Sequence, residues 1–140
     1  MQLQLEKAIS IALLAHKGQI DKGGNPYILH PLRIMIGMPT IEEKIVAVLH
    51  DVLEDSNITI QNLREENYSE KILNALTLLT KNENQSYNEY ISEIKKNTLA
   101  TKVKLADLRD NMDKNRIINP NEKDIERMNK YIKAFKQLTT

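Results

Sequence analysis

The stretch IEEKIVAVLHDVLED constrains the fold more than any other part of this chain. Ile45, Val48, Leu49 and Val52 recur at i, i+3, i+4 and i+7, which marks one stripe of an α-helix. Thr40 just before it is a good N-cap, and Glu43 three residues on completes a capping box. Such a helix must bury its stripe, and the partners must be other helices, because no stretch sustains the period-2 alternation of a strand. Upstream, Leu5, Ile9, Ala12, Leu13 and His16 share helical spacing and Gly18 suits a helix exit. Gly23, Gly24, Asn25 and Pro26 then form the densest cluster of breakers, and Pro31 opens a short helix over PLRIMIG. Downstream, Thr59, Ser69, Ser86 and Thr98 start further helices. The last begins after Asn119-Pro120, with Ile125, Met128, Ile132 and Phe135 as its apolar face. The expectation is an all-α bundle of roughly seven or eight helices, forming one domain over residues 1–140.

The same core helix carries residues that a core should avoid. In a continuous helix His50 and Glu54 are four apart, as are Asp51 and Asp55, so a histidine and three carboxylates crowd one side. Like charges at these spacings destabilise a helix, and more so beside a buried face. No Lys or Arg stands between Ile45 and Ile60 to compensate them. A bound multivalent cation would turn that liability into a site, whereas the plainer reading is a solvated acidic face. Two further features bear on the choice: His30 at a helix start beside the ordered loop, and Asp107 next to an apolar side, with Asn111 four residues on. Alone, His30 would be a cap or core histidine and Asp107 an exposed or paired acid. With no cysteine in the chain, a metal would have to be held by oxygen and imidazole.

Charge narrows the partners. Lys and Arg number 20 against 19 Asp and Glu, so the whole molecule has no pull on polymeric nucleic acid or an anionic membrane. An anionic ligand would be caught by a local cluster. No apolar run reaches the length of a membrane span, and the N-terminus lacks the pattern of a signal peptide, so a cytoplasmic protein is expected.

The blocks HKGQIDKGGNPYILHP, AVLHDVLEDS, LLTK and VKLADLRDNM, in this order and at these separations, resemble the HD-domain phosphohydrolases. Within them the chain looks most like the hydrolase domain of RelA/SpoT homologues and the small alarmone hydrolases, over about four fifths of its length, Leu5 to Arg116. The resemblance implies a divalent metal, manganese in these enzymes, on His30, His50, Asp51 and Asp107. It implies that Glu54 and Asp55 position and deprotonate the attacking water, and that Asn111 and Lys22 contact substrate. Arg109, beside the motif residues, is a further phosphate contact to expect, more so than Arg33, Lys102, Lys104 or Arg116. The implied activity is hydrolysis of a phosphorylated nucleotide, guanosine 3′,5′-bis(diphosphate) losing its 3′ pyrophosphate. The chain has no length for the synthetase or regulatory domains of long family members, so the hydrolase is expected to work alone.

One position departs from the pattern. Family members that act on this substrate carry an Arg-Lys pair in the first loop, the arginine stacking on guanine, and here Asp21 precedes Lys22. An aspartate offers no flat cation to a purine. Another phosphorylated nucleotide or small phosphate ester, or a non-catalytic nucleotide-sensing module, is the alternative. Tyr27 and His16 are expected to pack rather than to act.

Overall fold

The computed structural model describes residues 1–140, apart from the side chain of Lys114. Among the described residues the chain is all-α: α1 Gln2–Ala15, α2 Leu29–Ile36, α3 Ile41–Leu49, α4 Val52–Asp55, α5 Ile60–Glu65, α6 Glu70–Leu78, α7 Tyr87–Lys95, α8 Thr98–Asn111 and α9 Glu122–Thr139, with a 3₁₀ turn at Lys114–Arg116. An isolated bridge between Ile20 and Pro26 ties the loop after α1. No described helix is long and apolar enough to cross a membrane.

The helix starts follow from hydrogen-bonding chemistry. Thr40, Thr59, Ser69, Ser86, Asn97 and Asn121 each accept a backbone N–H from the first turn that would otherwise lack a partner. At α3 the capping box is only half formed. Glu43 does not reach back to Thr40; it turns inward, 6% exposed, and pairs with Lys102 on α8 at 2.9 Å. Reciprocal boxes form instead at Thr59/Asn62 and Asn121/Asp124. Gly18 takes φ +82° just past α1, a conformation without penalty only for glycine.

The expected stripe understates α3. Ile45, Val46, Ala47, Val48 and Leu49 are all 0% exposed, so this helix is wrapped on every side. It packs against α1, α2, α6 and α8, while α7 and α9 add on through α8. One apolar cluster extends from Ala8 to Leu138.

Two expectations are corrected. The helix expected to run on through Asp55 stops at Leu49 and restarts at Val52. His50 Nδ1–H takes the Ala47 carbonyl at 2.6 Å, the oxygen that a continuing helix would reserve for the Asp51 N–H. In α9, Phe135 packs on the core as expected, but Ile125 and Ile132 are exposed at 53% and 40%, and the rest of the inward face is carried by Tyr131, Ala134 and Leu138. The helix is rotated so that Arg127 and Tyr131 reach a cavity.

Candidate functional site

The break after Leu49 builds the centre of the site. Consecutive residues of a regular helix point about 100° apart and do not face each other. At the break they can, and His50 Nε2 lies 3.0 Å from Asp51 Oδ2. Asp107, one turn before the end of α8, meets the same imidazole: its Oδ1 is 3.3 Å from His50 Nε2 and 2.8 Å from His30 Nε2. His30 enters from the first turn of α2, one residue before Pro31, whose missing N–H costs nothing there. One ligand atom each from His30, His50, Asp51 and Asp107 lies within 4.8 Å of the other three. The sequence-expected quartet is therefore brought together.

The donor set fits a divalent ion. His50 Nδ1–H donates to the Ala47 carbonyl, and His30 Nδ1 lies 2.5 Å from Asp110 Oδ2. With Nδ1–H committed outward, a neutral imidazole carries its lone pair on Nε2, the atom each ring turns into the cluster. Two imidazoles and two carboxylates without sulfur suit Mn²⁺, Fe²⁺ or Zn²⁺.

The surrounding charges are closely matched. Burial opposes a charge on His50, yet Asp51 and Asp107 push its imidazole well above the ordinary value. Burial likewise opposes the Asp107 carboxylate, but Lys104 and then His50 hold it well below the usual range. Lys104, 9% exposed, places Nζ 2.9 Å from Asp107 Oδ2, and Asn111 Nδ2 donates to Oδ1 at 3.1 Å. Tyr27 donates its hydroxyl to Asp51 Oδ2. Burial, then the Asp51 charge, raises that phenol far beyond its normal range, so it stays a donor. Part of the compensation comes from residues far from HDVLED in the chain: Tyr27 serves Asp51, and Lys104 serves Asp107.

The cluster opens on a cavity of about 540 Å³. Glu54 and Asp55 line it, Glu54 Oε1 accepting the Lys81 N–H at 2.8 Å. Burial and the neighbouring Asp51 charge raise the Asp55 carboxyl. Lys22 and Asn111 also line the cavity. Arg109 does not: it is exposed, its guanidinium 5.3 Å from the centre of the Phe135 ring, beside a different groove. On α8, Asp107 and Asn111 point inward together, and Arg109, two residues past Asp107, falls on the opposite side. Lys102 and Arg33 are likewise taken, by Glu43 and Asp110.

Several cations of the lining were not anticipated. Lys81, Arg127 and Lys130 line the same cavity, together with Lys104, Tyr87, Tyr90 and Tyr131. Burial, then Lys104, Arg127 and Lys81, lowers the Lys130 ammonium from its ordinary value, and Arg127 is paired with Asp124 at 3.1 Å. The spacing of these cations in the sequence is that of ordinary solvated residues. Only the i, i+4 pair Arg127/Tyr131 beside an apolar face hinted at an inward turn. His16 is 2% exposed, its ring 4.8 Å from that of Tyr27, as expected of a core histidine.

Comparison with known proteins agrees with this geometry. No protein-family model matches the chain. It is 31% identical over 121 residues to the guanosine-3′,5′-bis(diphosphate) 3′-pyrophosphohydrolase of Aquifex aeolicus, covering 78% of this chain and 17% of that protein. The protein of the same name from Borreliella burgdorferi is 35% identical over 79 residues, 54% of this chain and 12% of that one. The chain thus spans less than a fifth of the length of these curated relatives. A solved structure of a metazoan SpoT orthologue, described as hydrolysing ppGpp, matches with TM-score 0.79 at 17% identity, covering 96% of this chain and 84% of that one. The fold is shared with that protein, and the sequence is similar to RelA/SpoT-type hydrolases.

Proposed function

We propose that this chain is a metal-dependent phosphohydrolase that removes pyrophosphate from the 3′ side of guanosine 3′,5′-bis(diphosphate), working in the cytoplasm with Mn²⁺. The reading is carried by one observation: two imidazole Nε2 atoms and two carboxylates converge within 4.8 Å beside a cavity that Lys22, Lys81, Arg127 and Lys130 also line. That layout suits a small, multiply phosphorylated molecule, and the names of the similar proteins point to the same substrate.

His30, His50, Asp51 and Asp107 would hold the ion. When bound, it supplies Lewis-acid polarisation of the scissile phosphoryl group and acidifies water. Tyr27 keeps Asp51 oriented by its hydroxyl donation, and Lys104 balances the charge of Asp107 in the absence of the ion. Glu54, tied to the Lys81 backbone, and Asp55, with its raised affinity for protons, line the same cavity and would orient the attacking water and take its proton. Lys81, Arg127 and Lys130 face the leaving pyrophosphate and neutralise its charge, while Lys22 holds phosphate from the first loop. In phosphoryl transfer such positioning and neutralisation supply most of the rate.

Purified protein with Mn²⁺ should release pyrophosphate from guanosine tetraphosphate, and His50→Ala or Asp51→Ala should abolish both turnover and metal binding. A second reading is favoured by Asp21, which puts a carboxylate where a flat cation would stack on a purine: the same chemistry on a different phosphorylated nucleotide. Cleavage of another nucleotide, with guanosine tetraphosphate untouched, selects it. Tight binding without turnover in metal-loaded protein would instead indicate a sensing module.

A further inference from the structure

Arg116, in the 3₁₀ turn after α8, commits its guanidinium to protein acceptors. Nη1 donates to the Asp110 carbonyl at 3.0 Å, to Asp110 Oδ2 at 2.9 Å and to Asn111 Oδ1 at 3.3 Å. Nη2 donates to Asp21 Oδ2 at 3.3 Å. The backbone of the same residue also touches the first loop: a Cβ on Gly23 would lie 2.1 Å from the Arg116 carbonyl oxygen, so only glycine allows the approach. Within the loop, Asp21 Oδ1 accepts the N–H groups of Gly23 and Asn25, each at 2.9 Å. On the far side, Arg116 shares Asp110 with His30 Nδ1, 2.5 Å from Oδ2, and with Arg33 at 2.8 and 2.9 Å.

We propose that Arg116 is a positioning residue that latches the Asp21–Asn25 loop to the His30 end of the metal cluster. The guanidinium is planar and its donors form a fixed fork, so acceptors on the loop and on α8 are held in one frame. Without it, Asp21 loses its paired cation, while Asp110 keeps Arg33 and His30 but no tie to the loop. The aspartate in the first loop thus acquires a role: it spends its charge on Arg116 and its second oxygen on the loop backbone, which fixes where Lys22 projects. Asp110 carries the constraint onward, because it is the partner that orients the His30 ring. Only the kinetic consequences rest on the phosphohydrolase reading. Loop order and metal affinity are independent of it.

The test uses the full chain with Arg116→Gln, Asp21→Asn and Asp110→Asn, checked for folding by circular dichroism. Three quantities are read: amide exchange at Gly23 and Asn25, Mn²⁺ affinity from the spin-resonance signal of free ion, and kcat and KM on guanosine tetraphosphate. Arg116→Gln should speed exchange at both amides and weaken Mn²⁺ binding about tenfold, the usual scale for losing a partner behind a ligand, while KM rises more than kcat falls. Asp21→Asn keeps an oxygen for the two loop N–H groups but loses the ion pair. It should reproduce the loop and KM effects with Mn²⁺ affinity unchanged. Asp110→Asn should do the reverse. Combining Arg116→Gln with Asp21→Asn should exchange no faster than Arg116→Gln alone, as expected of one shared contact. Unchanged exchange and unchanged Mn²⁺ affinity in Arg116→Gln overturns the latch, even in an active enzyme. Shifted exchange and affinity in a protein that hydrolyses nothing supports the latch and removes the hydrolase reading instead. Should Arg116→Gln not fold, unchanged loop exchange in Asp21→Asn overturns the latch by itself.

Discussion

Replacing Lys104 by methionine separates the protein's own charge balance from that of the metal. The side chain is 9% exposed and its ammonium lies 2.9 Å from Asp107 Oδ2, in a residue itself 4% exposed. Methionine fills nearly the same volume, so the change is chiefly one of charge. Removing one partner of a buried ion pair costs about 3–5 kcal/mol, because the other charge is left desolvated. His30 and His50 still face the other carboxylate oxygen, which argues for the low end, about 3 kcal/mol in metal-free protein. At about 3 °C per kcal/mol for a domain near this size, the melting temperature falls by about 9 °C. Metal should reverse much of this. Lys104 repels a divalent ion beside Asp107, so in the Mn²⁺-loaded variant the carboxylate regains a partner and a repulsion is lost. A residual cost of about 1 kcal/mol leaves a difference of about 2 kcal/mol, and by linkage the variant should bind Mn²⁺ about thirtyfold more tightly than wild type. Urea unfolding with chelator and with saturating Mn²⁺, together with calorimetric titration, measures both sides. Equal destabilisation in the two conditions, or weaker Mn²⁺ binding, would refute the claim that lysine and ion compete for one carboxylate.

Asp55→Asn should lower kcat by about 10²–10⁴, the range for a lost general base, while Mn²⁺ affinity measured by titration holds, since Asp55 is outside the ligand quartet. Tyr27→Phe removes the hydroxyl donated to Asp51; Mn²⁺ affinity should fall about tenfold with no change in fold, read by titration and circular dichroism. Leu76→Ala, at a position 0% exposed, should cost about 2–5 kcal/mol in urea unfolding by leaving a cavity, and leave metal affinity unchanged. Ser69→Ala should cost about 1 kcal/mol by orphaning the Ile72 N–H that Ser69 now caps, seen as a small fall in melting temperature.

Helical class was legible in periodicity and caps, which are local signals, whereas the quartet His30, His50, Asp51 and Asp107 was implied by the resemblance of the motif blocks to a known family. The further cations of the cavity lining were legible in neither. Lys81, Arg127 and Lys130 carry no local mark that separates them from solvated lysines and arginines, and which face of α9 turns inward depends on what it packs against. Arg109 failed for the converse reason: closeness to motif residues in sequence says nothing of helical phase, and it lies on the far side of α8 from Asp107.

By itself, then, the order of residues determined that the chain forms helices and where most of them begin, and its resemblance to a known family implied which imidazoles and carboxylates could share an ion. Packing decided the rest. It ended α3 where an imidazole claims a backbone carbonyl, so that two consecutive side chains can face one point. It brought Lys104 beside Asp107 and joined Asp21 to Arg116, 95 residues apart. The reason is range: a hydrogen bond along a helix reaches four residues, whereas the field around a buried charge is set by whatever the fold places within a few ångströms, however distant in sequence.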